Sequence, residues 1–239
     1  MQFGTRGILK MKNELHFEVL SEDRSGGIVI ESLMKKILHE AGPVSIAIRP
    51  HRGKGKVLAE EEQLAPPPFS SGLLDLLPAK LAAYDKVFAQ RKFVVVVVMD
   101  SDSDSPKSVY DTIHAMCGKF SPSLVHAIGI SVEEIESWLL ADERAILSAY
   151  PEANVCVIRD YRQDSICGTW EVLARAVLRE KAPPLIRIGY PAVGQYKQEW
   201  ANQIAPFLEP SRNVSPSFRS FRKEILRSAA LFAGEGGPS

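Results

Sequence analysis

Several common classes of protein are excluded by what this chain lacks. Cysteine is scarce: Cys117, Cys156 and Cys167 are odd in number, and no two form a C-x-x-C pair. That argues against a disulfide scaffold or a thiolate-ligated metal and suits idle thiols in a reducing compartment. No apolar run approaches the roughly 18 residues that a membrane span needs. The N-terminus shows no apolar stretch ahead of a cleavage site, so a cytoplasmic, membrane-free protein is expected. Net charge is also absent, 29 Lys and Arg against 29 Asp and Glu. A uniformly basic surface is therefore excluded, although local patches are not. The five histidines (His16, His39, His51, His114 and His126) have no H-x-x-x-H spacing, so zinc is not expected. What remains is a globular composition, 45% hydrophobic and 24% charged over 239 residues, enough for one domain, or one domain with an extension.

Along the chain, strand-like and helix-like stretches alternate. "ELHFEVL" (14–20) reads as a strand, and "GGIVIESLMKKILHEAG" after it as an amphipathic helix closed by Gly42. "PVSIAIRP" (43–50) is a short strand, and residues 51–71 form a long loop. "GLLDLLPAKLAAYDKVFAQR" is helical, with Pro78 marking a break or a fresh start. "FVVVVVM" (93–99) does not alternate, as in a strand buried on both faces of a parallel sheet. A helix opening at Ser105-Pro106, a strand over 123–130 and a helix from Ser131, with Ser131 and Glu134 spaced as a capping box, follow. Beyond that the pattern is helical, over 169–180, 194–208 and 216–231. The order predicts an α/β core with a mostly parallel sheet flanked by helices over 1–142. A helical extension over 143–232 packs on it, and a disordered tail occupies 233–239. Trp138, Trp170 and Trp200 are expected in the packing.

The valine run ends in "DSDSDS". In a parallel α/β sheet, ligands bind outside the carboxyl ends of the strands, so Asp100, Asp102 and Asp104 fall on that edge. Crowded carboxylates repel, and a divalent cation relieves the conflict; oxygen ligands suit Mg2+ or Mn2+. The alternative is a solvated Asp/Ser loop. Glu18, placed near the end of the first strand, adds a second source of acid, with Glu22 four residues on. Glu134 and Glu136 after the fourth strand add a third. A carboxylate inside an apolar strand is costly unless paired or ligating, which draws attention to Glu18. On a continuous helix Glu134 and Glu136 point about 200° apart. Both reach one cluster only if the helix begins near Glu136; otherwise one of them merely favours the helix N-terminus.

Glu at the first strand followed by Asp-x-Asp after a later hydrophobic strand resembles a Toprim domain, the metal-binding module of topoisomerases, primases and overcoming-lysogenization-defect nucleases. "EIESWLLAD" (134–142), "YKQEW" (196–200) and "SPSFRSF" (215–221) are similar to a bacterial Toprim-like family of unknown function, often found beside ATPase genes. The resemblance spans most of the chain. It implies that Glu18, Asp100 and Asp102 bind Mg2+ and act in catalysis. It further implies that Glu22, Glu134 and Glu136 match the nuclease members' additional acids, and that Lys197 matches a lysine near the scissile phosphate. The expected function is Mg2+- or Mn2+-dependent nuclease activity on DNA or RNA, in anti-phage defence with an ATPase partner. A non-enzymatic Toprim-derived subunit that binds metal or nucleotide and regulates an ATPase is the rival. Phosphotransfer on another α/β fold is a third reading, and it leaves the glutamates unexplained.

"RPHRGKGK" places Arg49, Arg52, Lys54 and Lys56 after the second strand, in glycine-containing backbone suited to phosphates. It lacks the G-x-x-x-x-G-K-[ST] spacing of a P-loop. A solvated loop balanced by the "EEE" at 60–62 is the alternative. Arg212, Arg219, Arg222, Lys223 and Arg227 near the C-terminus read as a solvated face or a nucleic-acid groove. Ser101, Ser103 and Ser105 have no histidine placed to activate them, so a serine nucleophile is not expected.

Overall fold

The computed structural model describes residues 14–39 and 41–233. Glu40 and the stretch 234–239, which holds all but the first residue of the expected tail, lie outside the described residues. Among the described residues four strands form one parallel sheet: β1 (Leu15–Ser21), β2 (Val44–Pro50), β3 (Phe93–Asp100) and β4 (Val125–Ser131), in the order β2-β1-β3-β4. The α/β class, the parallel sheet and the flanking helices are therefore as the pattern predicts.

The valine run is explained by two cores. Val94, Val96 and Val98 pack on the face covered by α1 (Arg24–Ile37) and the C-terminal helices. Phe93, Val95, Val97 and Met99 pack on the face covered by α2 (Leu73–Phe88) and α3 (Pro106–Phe120). A strand between two apolar layers has no polar face, so alternation vanishes. The helical part follows as α4 (Glu136–Leu140), α5 (Glu143–Ala149), α6 (Val155–Asp160), α7 (Thr169–Leu178), α8 (Ala182–Ile188), α9 (Ala192–Ile204) and α10 (Pro216–Ala233). It shares one continuous apolar cluster with the sheet, including Trp138, Trp170 and Trp200.

The motifs "EIESWLLAD" and "SPSFRSF" meet here. The Trp138 indole donates to Ser217 Oγ at 2.9 Å, and its ring stacks on Phe221, centroids 5.2 Å apart. Asp142 caps α5 and takes two bonds from Arg212, at 3.0 and 3.1 Å. Arg212 precedes the last helix, and Arg219 donates to the Asn213 carbonyl at 3.2 Å. Those two cations hold the chain in place.

Three local expectations are corrected. The first helix ends at Ile37, with Leu38 as its C-cap, well before Gly42. α2 runs unbroken through Pro78, because burial of Leu73, Leu74, Leu77 and Leu81 outweighs the one bond proline forgoes. No capping box forms at Ser131. That residue is the last of β4, and its hydroxyl is used by Asp100.

Candidate active site at the carboxyl edge of the sheet

The chain passes from β1 outward to β2, then crosses back to place β3 on the other side of β1. The carboxyl ends of β1 and β3 therefore flank the crevice where connections diverge, the place at which α/β sheets bind ligands. Glu22 is the first residue beyond β1 and Asp100 the last residue of β3. The Asp100 backbone N–H donates to Glu22 Oε2 at 3.3 Å. Ser131, paired in register with Asp100, donates its hydroxyl to Asp100 Oδ1 at 2.5 Å. Asp23 caps α1 by accepting from the Gly26 N–H at 2.7 Å, which fixes the turn that presents Glu22.

The turn after β4 delivers two more acids. Asp102 and Glu133 both have left-handed backbone, φ 50° and 61°, and face each other. The Asp102 N–H donates to the Glu133 carbonyl at 2.9 Å, and the Glu133 N–H to Ser101 Oγ at 2.8 Å. The Glu133 carboxylate then accepts from the backbone N–H groups of Cys167, Gly168 and Thr169 and from the Thr169 hydroxyl. An acid at a helix N-terminus is favourable, and here it locks the turn to α7. Consequently α4 starts only at Glu136, the condition under which Glu134 and Glu136 can share a site. Both do: Lys197 Nζ is 3.2 Å from Glu134 Oε1 and 3.0 Å from Glu136 Oε2. Glu134 Oε2 also accepts from the Trp170 N–H at 3.2 Å. Glu136 is 0% exposed, and apart from the close approach of Lys197 neither of its oxygens has a well-formed hydrogen bond.

The electrostatics follow from crowding. Burial, then the charge of Asp102, pushes the Glu22 carboxyl up to about 7. Burial, with Glu136 adding to it against the opposing pull of Lys197, pushes Glu134 up to about 7. Burial also raises Asp100, which faces Glu22 and Glu136, and it raises Glu136. Lys197 is buried, yet the charges of Glu136, Glu134 and Asp100 hold its ammonium well above the ordinary value. One buried ammonium thus faces three carboxylates, Glu134, Glu136 and Asp100.

Glu18 does not join them. It is the fourth residue of β1, and its register partner in β3 is Val95, five residues before Asp100. At about 3.3 Å per residue that is roughly 16 Å away. The Glu18 carboxylate points toward α2 and is paired with Arg49 at 2.8 Å, Tyr84 OH at 3.0 Å and His16 at 3.0 Å. Burial opposes its ionisation, but the bonds from His16, Arg49 and Tyr84 prevail and hold it below the ordinary value. Its buried charge is explained by pairing, so the assignment of Glu18 as a ligand and catalytic acid is withdrawn. The acid at the edge is Glu22, four residues on.

The basic loop is split in the same way. Arg49 is consumed by Glu18. Lys54 pairs with Asp102 at 3.0 Å and Asp104 at 2.7 Å, both exposed carboxylates. Arg52 and Lys56 are exposed. The loop is held to the edge by the Gly53 N–H bond to the Glu22 carbonyl, 3.0 Å, and by contact of Gly55 with Gly72. Ser131 and Glu133 are site residues that the sequence pattern does not single out; a serine at a strand end and an acid one residue before Glu134 are the only local signals.

An all-oxygen set of Glu22, Asp100, Glu134 and Glu136, with unsatisfied buried oxygens on Glu136, fits a hard divalent cation in kind. Among the described residues, however, no group of three or more His, Cys, Asp or Glu side chains is gathered closely enough to hold one ion. Ammonium groups stand where a cation would neutralise: Lys197 beside Glu134 and Glu136, and Lys54 beside Asp102. No helix of the described residues is long and apolar enough to cross a membrane. A scan against protein-family models, a search of curated proteins and a search of solved structures each returned no match.

Proposed function

We propose that this protein is a divalent-cation-dependent phosphodiesterase of the Toprim type, acting on DNA or RNA. The observation that carries this reading is the convergence of Glu22, Asp100, Glu134, Glu136 and Lys197 at the crevice between β1 and β3. Mg2+ or Mn2+ would be held by Glu22, Asp100 and Glu136 once these carboxylates close on it, and would supply an activated water and neutralise charge at the phosphate. Lys197 would steady negative charge as it develops on a phosphoryl oxygen. Glu134, bonded to Lys197 and Trp170, orients that ammonium. Ser131 fixes the rotamer of Asp100. Arg52 and Lys56 lie on the loop bordering the edge and would meet the flanking backbone phosphates.

The pairing of site acids with lysines favours a second reading, a Toprim-derived subunit that binds a nucleotide or nucleic-acid phosphate and regulates an ATPase. Assays with Mg2+ and Mn2+ on supercoiled, linear and single-stranded substrates separate the two. Cleavage lost in Asp100→Asn and Glu22→Gln, with both variants folded, supports the enzyme. No cleavage on any substrate, with binding to an ATPase, supports the regulator.

A further inference from the structure

Tyr190 is 61% exposed, although its hydroxyl is turned inward onto a buried group. Lys197 Nζ donates to Tyr190 Oη at 3.3 Å. The same ammonium is 3.0 Å from Glu136 and 3.2 Å from Glu134. The ring is fixed at its edge as well. It meets Trp170 edge-on, with centroids 6.5 Å apart, and Trp170 binds Glu134 through its own backbone N–H. Tyr190 is thus a flat aromatic surface open to solvent, held at two points, one ammonium away from the carboxylates. The ring needs no such exposure to bury apolar area, and its hydroxyl is already satisfied.

We propose that Tyr190 is a stacking platform for one unpaired base of single-stranded nucleic acid, seated beside the phosphate that enters the carboxylate site. This rests on the phosphodiesterase reading and narrows it to a substrate class. A base in a duplex is stacked on both faces and cannot present a π-face to a fixed ring, whereas a single strand can. Because the platform is already immobilised, little ordering cost opposes stacking. The exposed cations Arg52 and Lys56 would take the backbone on the far side of the crevice.

The test is fluorescence anisotropy of the full chain in Ca2+, using a labelled single-stranded oligonucleotide and its blunt duplex. Wild type should favour the single strand. Tyr190→Ala should weaken that binding by about 5- to 150-fold, the equivalent of the ~1–3 kcal/mol of one base–aromatic stack, while leaving duplex binding within threefold. Tyr190→Phe, which keeps the ring and removes only the bond to Lys197, should stay within threefold of wild type on both. Equal loss in Tyr190→Phe and Tyr190→Ala would assign the effect to the hydroxyl and overturn stacking. So would equal wild-type affinity for strand and duplex, or no binding to either. The two readings fail separately. Cleavage without Tyr190-dependent strand preference removes the platform and leaves the enzyme, and strand preference without cleavage does the reverse.

Discussion

Replacing Lys197 with Met removes one charge and little volume, and the site's electrostatics make the consequence large. The ammonium is 7% exposed and lies 3.0 and 3.2 Å from two carboxylates, one of them 1% exposed. At an effective dielectric of about 20, each contact has a gross attraction of roughly 5 kcal/mol. Desolvation of the ammonium offsets several kcal/mol of that sum, and proton uptake by the stranded carboxylates caps the loss. Removing one partner of such a buried cluster is expected to cost about 3–5 kcal/mol, or roughly 6–20 °C in Tm for a chain of this size. Urea unfolding followed by tryptophan fluorescence at pH 7.5 measures it. Added Mg2+ should return more stability to Lys197→Met than to wild type, because the ion replaces the missing positive charge. A variant within 1 kcal/mol of wild type would refute the reasoning, since it would mean that the carboxylates do not need a neighbouring cation.

Other outcomes follow from the same geometry. Glu18→Ala should lower stability by about 1–2 kcal/mol, chiefly by leaving Tyr84 and His16 without their acceptor, since Arg49 stays solvated, yet leave cleavage per folded molecule unchanged; denaturation and nuclease assays on one preparation decide this. Gly72→Ala would put a Cβ 2.3 Å from Gly55 Cα. It should displace the loop bearing Lys54, costing about 1–3 kcal/mol and weakening nucleic-acid binding, measured by anisotropy. His126 is held neutral by burial, which lowers it to about 4. The unfolded chain takes up that proton near 6.5, so this stability is present above pH 6.5 and fades as pH falls toward 4. His126→Gln should flatten stability across that window.

The sheet was legible because its signals are local. A valine run flanked by helical periodicities admits few arrangements, and the acids after β3 and β4 are read directly from strand ends. Glu18 and Glu22 were not separable in that way. A carboxylate in an apolar strand can ligate or pair, and the partners that decide it, Arg49 on β2 and Tyr84 on α2, are 31 and 66 residues away. Ser131 fits a helix cap as well as a strand end; the left-handed turn at Glu133 resolves it, and no local pattern announces that turn. Lys197 could be matched through "YKQEW", but its contact with both glutamates depends on how α9 packs.

Anomalous diffraction from crystals soaked in Mn2+ tests the carboxylate site most directly. One or two ions should bind within about 2.0–2.6 Å of oxygens from Glu22 and Asp100, with Glu136 drawn toward them and Glu18 still on Arg49. A crevice without an ion at saturating Mn2+, or an ion bound at Glu18, would contradict it.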